Sequence, residues 1–360
     1  PAGGTQGQAL GGGAPPAAPG APSAPSSFSA PSQEQMNGRA LSPQEERTKD
    51  ALMALRSEIG KAVVGQEGAV TGLIIALVAG GHALLEGVPG VAKTLLVRTM
   101  ATALDVDMAR IQFTPDLMPA DITGSLVWDA GSSAFEFRRG PVFTNLLLAD
   151  EINRTPPKTQ SALLEAMEER QVSVDGQTHA LADPFMVIAT QNPVEYEGTY
   201  PLPEAQLDRF LLKLELPLPG RDAEFGIVKR HRDGFNPLAL ADAGVRPVAS
   251  PADIAAARGA AARVDVSDTV LAYLVDVCRA TRESPSVRLG ASPRGATALL
   301  RTTRVWAFLQ GRGFATPDDV KAMAAPTLAH RIGLRAEADL EGLTAARVVE
   351  GVLAQVPVPR

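Results

Sequence analysis

The spacing of hydrophobic residues alternates between helical and strand-like patterns over much of the chain. A first helix is predicted where Leu52, Leu55 and Ile59 repeat at helical spacing behind the capping sequence Ser42-Pro43-Gln44-Glu45. Continuously apolar segments then alternate with helical ones, which predicts strands at 82–86, 109–113, 145–149 and 185–190 and helices at 66–78, 93–104 and 157–168. Because strands that are apolar throughout are typical of a parallel sheet covered by helices, we predict an α/β fold.

Two segments interrupt this alternation. Residues 125–139 alternate apolar and polar positions around Gly131, and residues 171–182 turn at Asp175-Gly176. Both patterns predict β-hairpins inserted into the α/β fold.

The pattern becomes helical only after Pro217-Leu218-Pro219-Gly220, with helices predicted at 221–235, 251–263, 267–282, 293–310 and 317–330. We therefore predict an α/β nucleotide-binding core at residues 39–219 and a smaller all-α domain at residues 220–360. Residues 1–38 consist almost entirely of Gly, Ala, Pro, Ser and Gln, a composition that predicts a disordered tail.

Composition and charge argue against two classes of function. The formal charge is −6 and the pI about 5.4, which argues against a protein whose main task is to coat nucleic acid. The apolar run Ala69–Leu85 contains Gly80, Gly81 and His82 and is too short for a membrane span, so we expect a buried helix and strand, and no membrane insertion.

The single cysteine and the scattered histidines complete this picture. Cys278 lies in an apolar helical pattern and is expected to be a buried structural thiol in a reducing, cytoplasmic protein. The four histidines show no metal-ligand spacing, so no transition-metal site is expected, and no signal-peptide pattern is expected at the start.

The loop Gly87-Val88-Pro89-Gly90-Val91-Ala92-Lys93-Thr94 lies between a predicted strand and a predicted helix. A phosphate chain needs inward-pointing backbone N–H groups, a helix N-terminus and a lysine, and this loop offers all three. The hydroxyl of Thr94 is a ligand for Mg²⁺. The loop departs from the common pattern at Ala92, and a glycine turn that merely opens a helix is the structural alternative.

A second group of chemical residues follows the apolar strand at 145–149. Asp150 and Glu151 come at its carboxyl end, which should lie beside the phosphate loop. Asp150 is expected to bind Mg²⁺ through water, and Glu151 to orient and polarise the attacking water. A strand that leads into an ordinary helix cap is the alternative.

Three further polar residues occur at element ends. Asn192 follows the strand at 185–190 and is suited to hold the lytic water or sense the γ-phosphate, although a simple turn is equally compatible. Arg209 ends a helical segment from which it could reach a neighbouring subunit's phosphate. Arg294 opens a helix of the small domain in Ser292-Pro293-Arg294, where it could contact phosphate across the interdomain cleft. The alternatives are a surface ion pair with Asp208 for Arg209 and a solvated side chain for Arg294.

Together these motifs resemble the AAA+ ATPases and, among them, the MoxR family. The resemblance spans about residues 41–360 and is carried by 87–94, Gln112–Leu117, Asp121–Gly124, Leu148–Arg154, Pro157–Arg170, Ala189–Pro193, Glu197–Phe210 and Gly290–Arg294. Ala92 fits this family's version of the loop.

The resemblance implies a role for each matching residue. It implies that 87–94 is Walker A, continuing into Leu95, that Asp150 and Glu151 are Walker B, and that Val64-Gly65-Gln66 lies near the adenine. It assigns sensor 1 to Asn192, the arginine finger to Arg209 and sensor 2 to Arg294. The two predicted hairpins are similar to the helix-2 and pre-sensor-1 insertions, and the all-α domain to the lid.

The resemblance also implies the assembly and the biological activity. It predicts Mg²⁺-dependent ATP hydrolysis by a homo-oligomeric ring, usually a hexamer, that remodels a protein client with a partner carrying a von Willebrand factor A (VWA) domain. Two alternatives stay open. One is a nucleic-acid motor, supported by Arg138 and Arg139 in the first hairpin. The other is an ATP-regulated scaffold with little turnover.

Overall fold

The computed structural model describes residues 3, 39–131, 133–192 and 199–359. Apart from Gly3, the predicted tail at 1–38 lies outside the described residues, as does Pro193 of the predicted sensor 1 motif. Contacts divide the chain into residues 1–37 and a compact unit of residues 38–360. The elements below all belong to the second unit, whose predicted division at residues 219 and 220 stays a prediction.

Helices and strands occupy most of this unit. The helices are α1 (Pro43–Gly60), α2 (Glu67–Val78), α3 (Lys93–Leu104), α4 (Pro119–Thr123), α5 (Pro157–Glu169), α6 (Glu204–Leu207), α7 (Arg221–Arg232), α8 (Pro251–Ala262), α9 (Asp268–Glu283), α10 (Pro293–Leu309), α11 (Pro317–Leu328), α12 (Ala336–Leu340) and α13 (Ala345–Gln355). The strands are β1 (Ala83–Glu86), β2 (Met108–Gln112), β3 (Gly124–Asp129), β4 (Ala134–Arg139), β5 (Leu146–Asp150), β6 (Gln171–Val174), β7 (Gln177–Ala180), β8 (Met186–Gln191), β9 (Leu212–Glu215), β10 (Val287–Leu289) and β11 (Gly333–Leu334).

Five strands form one parallel sheet in the order β2-β5-β8-β1-β9. Four of them, β1, β2, β5 and β8, lie at predicted strand positions, whereas β9 was not predicted because its sequence Leu-Lys-Leu-Glu is not continuously apolar. The central strands are almost fully buried because helices cover both faces. All five strands run in the same direction, so residues that follow them gather at one edge of the sheet and residues that precede them gather at the other.

The first helix begins as its sequence predicts. The hydroxyl of Ser42 accepts a hydrogen bond from the N–H of Glu45, and the Glu45 carboxylate accepts one from the N–H of Ser42 (2.9 Å). Arg39 also binds this buried carboxylate, and that hydrogen bond contributes most to lowering the pKa of Glu45 to about 2. The capping box therefore joins the start of α1 to the residues before it.

Both predicted hairpins are present. Strands β3 and β4 pair antiparallel, and so do β6 and β7, whose turn residues Asp175 and Gly176 both have positive φ, at 50° and 75°. The first hairpin exposes Trp128 and Phe135, whose rings meet edge to face at 5.3 Å.

The C-terminal part is mainly helical, with one departure from the prediction. Strands β10 and β11 pair antiparallel and connect the segments before α10 and after α11. They have three and two residues, too few for a periodic pattern to show in the sequence. Helices α12 and α13 lie beyond the last predicted helix. Cys278 is buried, as expected, and burial raises the pKa of its thiol to about 11.

Within the described residues, no helix combines the length and the apolar character that crossing a membrane requires.

His82 immediately precedes β1 and connects it by hydrogen bonds to β8 and α5. Its Nδ1 accepts a hydrogen bond from the N–H of Val187 in β8 (2.9 Å), so its Nε2 carries the proton and donates to the carbonyl of Met167 in α5 (3.1 Å). Burial lowers the pKa of His82 to about 4, so the folded chain holds the ring neutral.

Because the pKa of His82 is lower in the folded than in the unfolded chain, the unfolded chain binds more protons between about pH 6.5 and pH 4. The contribution of neutral His82 to the free energy of unfolding is present in full above the unfolded pKa and falls as the pH falls through this window. Lowering the pH from 7 to 5 should reduce the unfolding free energy of the wild type, and in His82→Gln this reduction should be smaller by roughly 2 kcal/mol. Urea unfolding at the two pH values measures the difference. The exposed His231→Gln is the control; an equal loss in His82→Gln and wild type would contradict the assignment.

Candidate active site

The phosphate loop joins β1 to α3 in a shape that only small residues permit. Gly90 and Ala92 have positive φ, at 89° and 64°, and a Cβ on Gly87 would lie 2.6 Å from the carbonyl oxygen of Leu216. Helix α3 then begins at Lys93 without a side-chain cap, so its first N–H groups face the loop. The backbone therefore offers an anion site at the end of the sheet.

Lys93 is the first residue of α3, and its side chain reaches back to the start of the loop. Its ammonium donates to the carbonyl of Gly87, which draws the side chain back across the loop. Burial lowers the pKa of Lys93, while the nearby Asp150, Glu151 and Glu86 act in the opposite direction. A half-buried lysine among carboxylates is suited to meet a phosphate group, which supplies further negative charge.

A cavity of about 170 Å³ adjoins the loop and is lined on one side by Gly90, Val91, Ala92 and Leu95. Gln66, Val64 and residues of α7 line the other side. The amide of Gln66 donates to the carbonyl of Pro217 (3.0 Å), and Gly65 has φ of 76°. The structure thus places the predicted adenine segment beside the predicted phosphate loop, across a largely apolar cavity that suits a planar base.

The acidic end of β5 is organised by one hydroxyl on the neighbouring strand. Thr190 in β8 donates to Oδ1 of Asp150 (2.6 Å) and accepts from the N–H of Glu151 (2.9 Å). Glu151 has φ of 57°, an uncommon conformation for a residue with a side chain, and this bond helps to hold it. Thr190 therefore holds the carboxylate of Asp150 and the backbone of Glu151 at the edge that carries the phosphate loop.

Two arginines and a glutamine of the same chain contact the carboxylates of Asp150 and Glu151. The guanidinium of Arg110 in β2 donates to Oδ2 of Asp150 at 2.6 and 3.1 Å. The amide of Gln112 donates to Oε2 of Glu151 (2.9 Å), and Arg154 lies 3.1 Å from the same oxygen. These contacts hold the two acids in defined orientations.

The donor set at this edge fits Mg²⁺. Thr94 supplies a hydroxyl and Asp150 a carboxylate, which are the hard oxygen ligands that this ion prefers beside nucleotide phosphates and water. Asn192 follows β8 at the same edge and is buried, one residue beyond the pairing of Gln191 with Glu86 of β1. Lys93, Thr94, Asp150, Glu151 and Asn192 are thus brought to one edge of the sheet.

Arg209 and Arg294 lie at the opposite edge. The N–H of Leu211, two residues after Arg209, donates to the carbonyl of His82 at the start of β1 (2.8 Å), whereas the phosphate loop begins at the end of β1. Five residue steps along a strand correspond to roughly 16 Å. Neither arginine therefore lies beside the phosphate loop of its own chain.

The two arginines share a cavity of about 230 Å³ at this edge. Arg209 and Arg294 both contact Glu168 of α5, at 3.1 and 3.3 Å. Two acidic side chains line the cavity, Glu168 and Asp208, against five arginines, Arg170, Arg209, Arg294, Arg301 and Arg331. The charged lining is therefore predominantly positive.

Comparisons with known proteins agree with this geometry. A model of the ATPase family associated with various cellular activities (AAA) matches residues 82–212, and a model of the AAA lid domain matches residues 279–352. Chaperone MoxR1 of Mycobacterium tuberculosis is 41% identical over 84% of this chain and 81% of its own length. Protein MoxR of Methylorubrum extorquens is 33% identical over 86% of this chain and 96% of its own length.

The chain belongs to the MoxR family of AAA+ ATPases.

Two further relatives extend the match. The uncharacterized protein YeaC of Bacillus subtilis is 47% identical over 84% of this chain and 92% of its own length. A crystal structure of a proposed ATPase from Cytophaga hutchinsonii has a TM-score of 0.81 and 40% identity, and the match covers 88% of this chain and 97% of that one. The predicted family and the AAA+ fold with a following lid domain are confirmed.

The structure adds residues that the MoxR motifs left without a role. Thr190 stood in a recognised motif, but its bonds to the Walker B acids depend on the β5–β8 pairing. Arg110 lies two residues before a recognised motif, and its contact with Asp150 follows from the β2–β5 register. Arg331 had no sequence signal at all, because its partners lie far away along the chain.

Gly87→Ala should distort this loop, because the added Cβ would meet the backbone of Leu216 at 2.6 Å. We expect the substitution to cost roughly 1–3 kcal/mol in unfolding free energy and to weaken ATP binding at least tenfold. The control is Gly68→Ala in α2, where a Cβ meets nothing within 4 Å and the substitution should stabilise slightly. Titration with a fluorescent ATP analogue and urea unfolding measure both effects; unchanged ATP affinity in Gly87→Ala would contradict the loop assignment.

Proposed function

We propose that the chain binds ATP and Mg²⁺ at the phosphate loop and hydrolyses ATP in a homo-oligomeric ring, most simply a hexamer. Each site is completed by Arg209 and Arg294 of the neighbouring subunit. The observation that carries this proposal is the separation of the two groups: the phosphate loop and acids lie at one edge of the sheet and both arginines at the other.

In this proposal each group at the nucleotide edge has one task. Lys93 and the N–H groups of the loop bind the outer phosphates, and Gln66 and Gly65 border the base. Thr94 and Asp150 hold Mg²⁺, partly through water, and the ion neutralises phosphate charge. Glu151 accepts a proton or hydrogen bond from the attacking water, while Asn192 orients that water or the γ-phosphate.

The neighbouring subunit supplies positive charge. Arg209 and Arg294 would approach the γ-phosphate together, since they share Glu168 in one chain. Charge developing on the transferred group is stabilised by such guanidinium groups, whose removal typically lowers turnover 10³–10⁵-fold. An isolated subunit should therefore bind ATP but hydrolyse it slowly.

We further propose that hydrolysis is coupled to remodelling of a protein client, together with a VWA-domain partner, in the cytoplasm. The name of the relative Chaperone MoxR1 supports the chaperone-like part. The exposed Trp128 and Phe135 of the first hairpin offer an apolar contact for a client. In this scheme residues 39–219 act as the core and residues 220–360 as the lid.

The two alternatives have less support. A nucleic-acid motor was supported by Arg138 and Arg139. Arg138 is exposed, whereas the guanidinium of Arg139 lies over the ring of Phe143, 5.2 Å from its centroid. For a scaffold with little turnover, the Walker B residues need no alignment, yet Thr190 binds both the carboxylate of Asp150 and the backbone N–H of Glu151. ATPase activity per subunit that rises with protein concentration supports the ring, and a flat, negligible rate supports the scaffold.

Glu151→Gln tests the chemical assignment, because it keeps the side-chain volume and removes the negative charge. We expect ATP binding to stay within about threefold of wild type, and turnover to fall roughly 10²–10⁴-fold, the usual contribution of a general base. Glu165→Gln, at an exposed position of α5, is the matched control. Phosphate release measures turnover; hydrolysis at the wild-type rate in Glu151→Gln would refute this role of Glu151.

A further inference from the structure

Arg331 is a buried arginine at the end of the turn that follows α11, and its side chain is only 3% exposed. Its Nε donates to Oδ1 of Asp208 at 2.7 Å. Its Nη2 donates to the carbonyls of Asp208 (3.2 Å) and Phe210 (2.7 Å). One guanidinium therefore binds the residues on both sides of Arg209.

The remaining N–H groups of Arg331 also bind within the chain. Nη1 donates to the carbonyl of Leu211 (3.2 Å) and to that of Thr327 in α11. A guanidinium has five N–H donors, and all five of Arg331 are engaged. Although Arg331 lines the arginine cavity, it keeps no donor for a phosphate group.

Neighbouring contacts extend this arrangement to Arg294. Asp208 receives Arg331 on Oδ1 and faces Nε of Arg294 with Oδ2 at 3.7 Å. Glu168 contacts both Arg209 and Arg294. Arg209 and Arg294 are thus linked through two carboxylates, one of which is held by Arg331.

We propose that Arg331 is a positioning residue that fixes the 208–211 turn on the lid, so that Arg209 and Arg294 are presented together to the neighbour's nucleotide. This inference rests on the proposed function of a site shared between subunits. Arg331 acts through Asp208 and the turn carbonyls and does not itself touch the nucleotide.

The geometry explains why an arginine is needed. Lysine would preserve the charge opposite Asp208, but its single ammonium cannot span the carbonyls of Asp208, Phe210 and Leu211 as the planar guanidinium does. Arg331→Lys should therefore loosen the turn while it keeps the buried charge paired, which makes it milder than Arg331→Gln. A displacement of about 1 Å in such a group is enough to lower turnover roughly 100-fold.

Mixed assemblies of the full chain separate the two roles of a subunit. A donor subunit carries Lys93→Ala, so it lacks ATP but offers its arginines; an acceptor subunit carries Arg209→Ala, so it holds ATP but offers no finger. Each alone should be inactive, and an equimolar mixture should regain ATPase activity at the donor–acceptor interfaces.

Arg331→Lys is then placed in each role. In the donor, as Lys93→Ala/Arg331→Lys, it should lower the regained activity about 100-fold. In the other role, a subunit that carries only Arg331→Lys holds ATP and is mixed with the Lys93→Ala donor. This mixture should be as active as the mixture of the Arg209→Ala acceptor with the same donor. The matched control is Arg312→Lys in the donor, because Arg312 pairs with Asp319 within the lid and does not touch the 208–211 turn; it should support full activity.

Each other result overturns the inference. Full activity with the Arg331→Lys donor would show that the turn does not depend on Arg331. Equal loss in both roles would show a general structural defect, which thermal unfolding of the variant would register as well. If the mixture of Lys93→Ala and Arg209→Ala stays inactive, the shared site itself fails, and this inference fails with it.

Discussion

The parallel direction of the five strands is the constraint on which the rest of this structure depends. Strand β1 lies between His82 at one edge of the sheet and Gly87 at the other, and β8 and β9 run beside it in the same direction. Loops that follow strands therefore meet at one edge, and the segment that carries Arg209 ends at the other. A separation of roughly 16 Å along β1 keeps the two halves of the chemistry apart.

Charge is distributed in accordance with this separation. The nucleotide edge carries Asp150, Glu151 and Glu86 around Lys93, and the opposite edge carries a cavity whose charged lining is mainly arginine. In the isolated chain, Arg110 and Arg154 compensate the acids, and Glu168 and Asp208 compensate the arginines. A ring would bring the two edges of adjacent subunits together, with ATP supplying the phosphate charge between them.

The lid contributes no strand to the five-stranded sheet, but its side chains contact the turn that carries Arg209. Arg331 and His330 follow α11, yet their side chains reach the carbonyls of the 208–211 turn. The turn that carries Arg209 therefore rests on the lid as well as on the sheet. Movement of the lid would move both arginines, and in the proposed ring it would link the nucleotide state of one subunit to the geometry of the next.

Local pattern predicted most of the fold, because the buried strands and the capped helices each leave a signal within about ten residues. Helix α3 was predicted at its observed bounds, and four strands of the sheet, β1, β2, β5 and β8, to within a residue. Strand β9 was missed, because only alternate residues of it are apolar. Strands β10 and β11 were missed because they are too short for periodicity and pair only through tertiary packing.

The candidate site was predictable as a set of motifs but not as a geometry. Gly87–Thr94 and the Asp150–Glu151 pair each lie in a contiguous motif that follows a strand, so their position at one edge followed from the parallel direction of the strands. The position of Arg294 beside Arg209, through Glu168, depends on how the lid packs against α5, which no local pattern encodes. Thr190 was missed because its bonds depend on the β5–β8 pairing, and Arg331 because its partners lie far away along the chain.

The most direct test of a shared site is a cryo-electron microscopy structure of the full chain with Glu151→Gln, formed in ATP and Mg²⁺. We predict a ring in which Arg209 and Arg294 of one subunit lie within about 3.2 Å of phosphate oxygens bound at the Lys93 loop of the next. Their distance from the nucleotide of their own chain should stay above about 10 Å, as the length of β1 requires. Arg209 and Arg294 bound to their own chain's γ-phosphate, or turned into solvent in an ATP-loaded assembly, would contradict it.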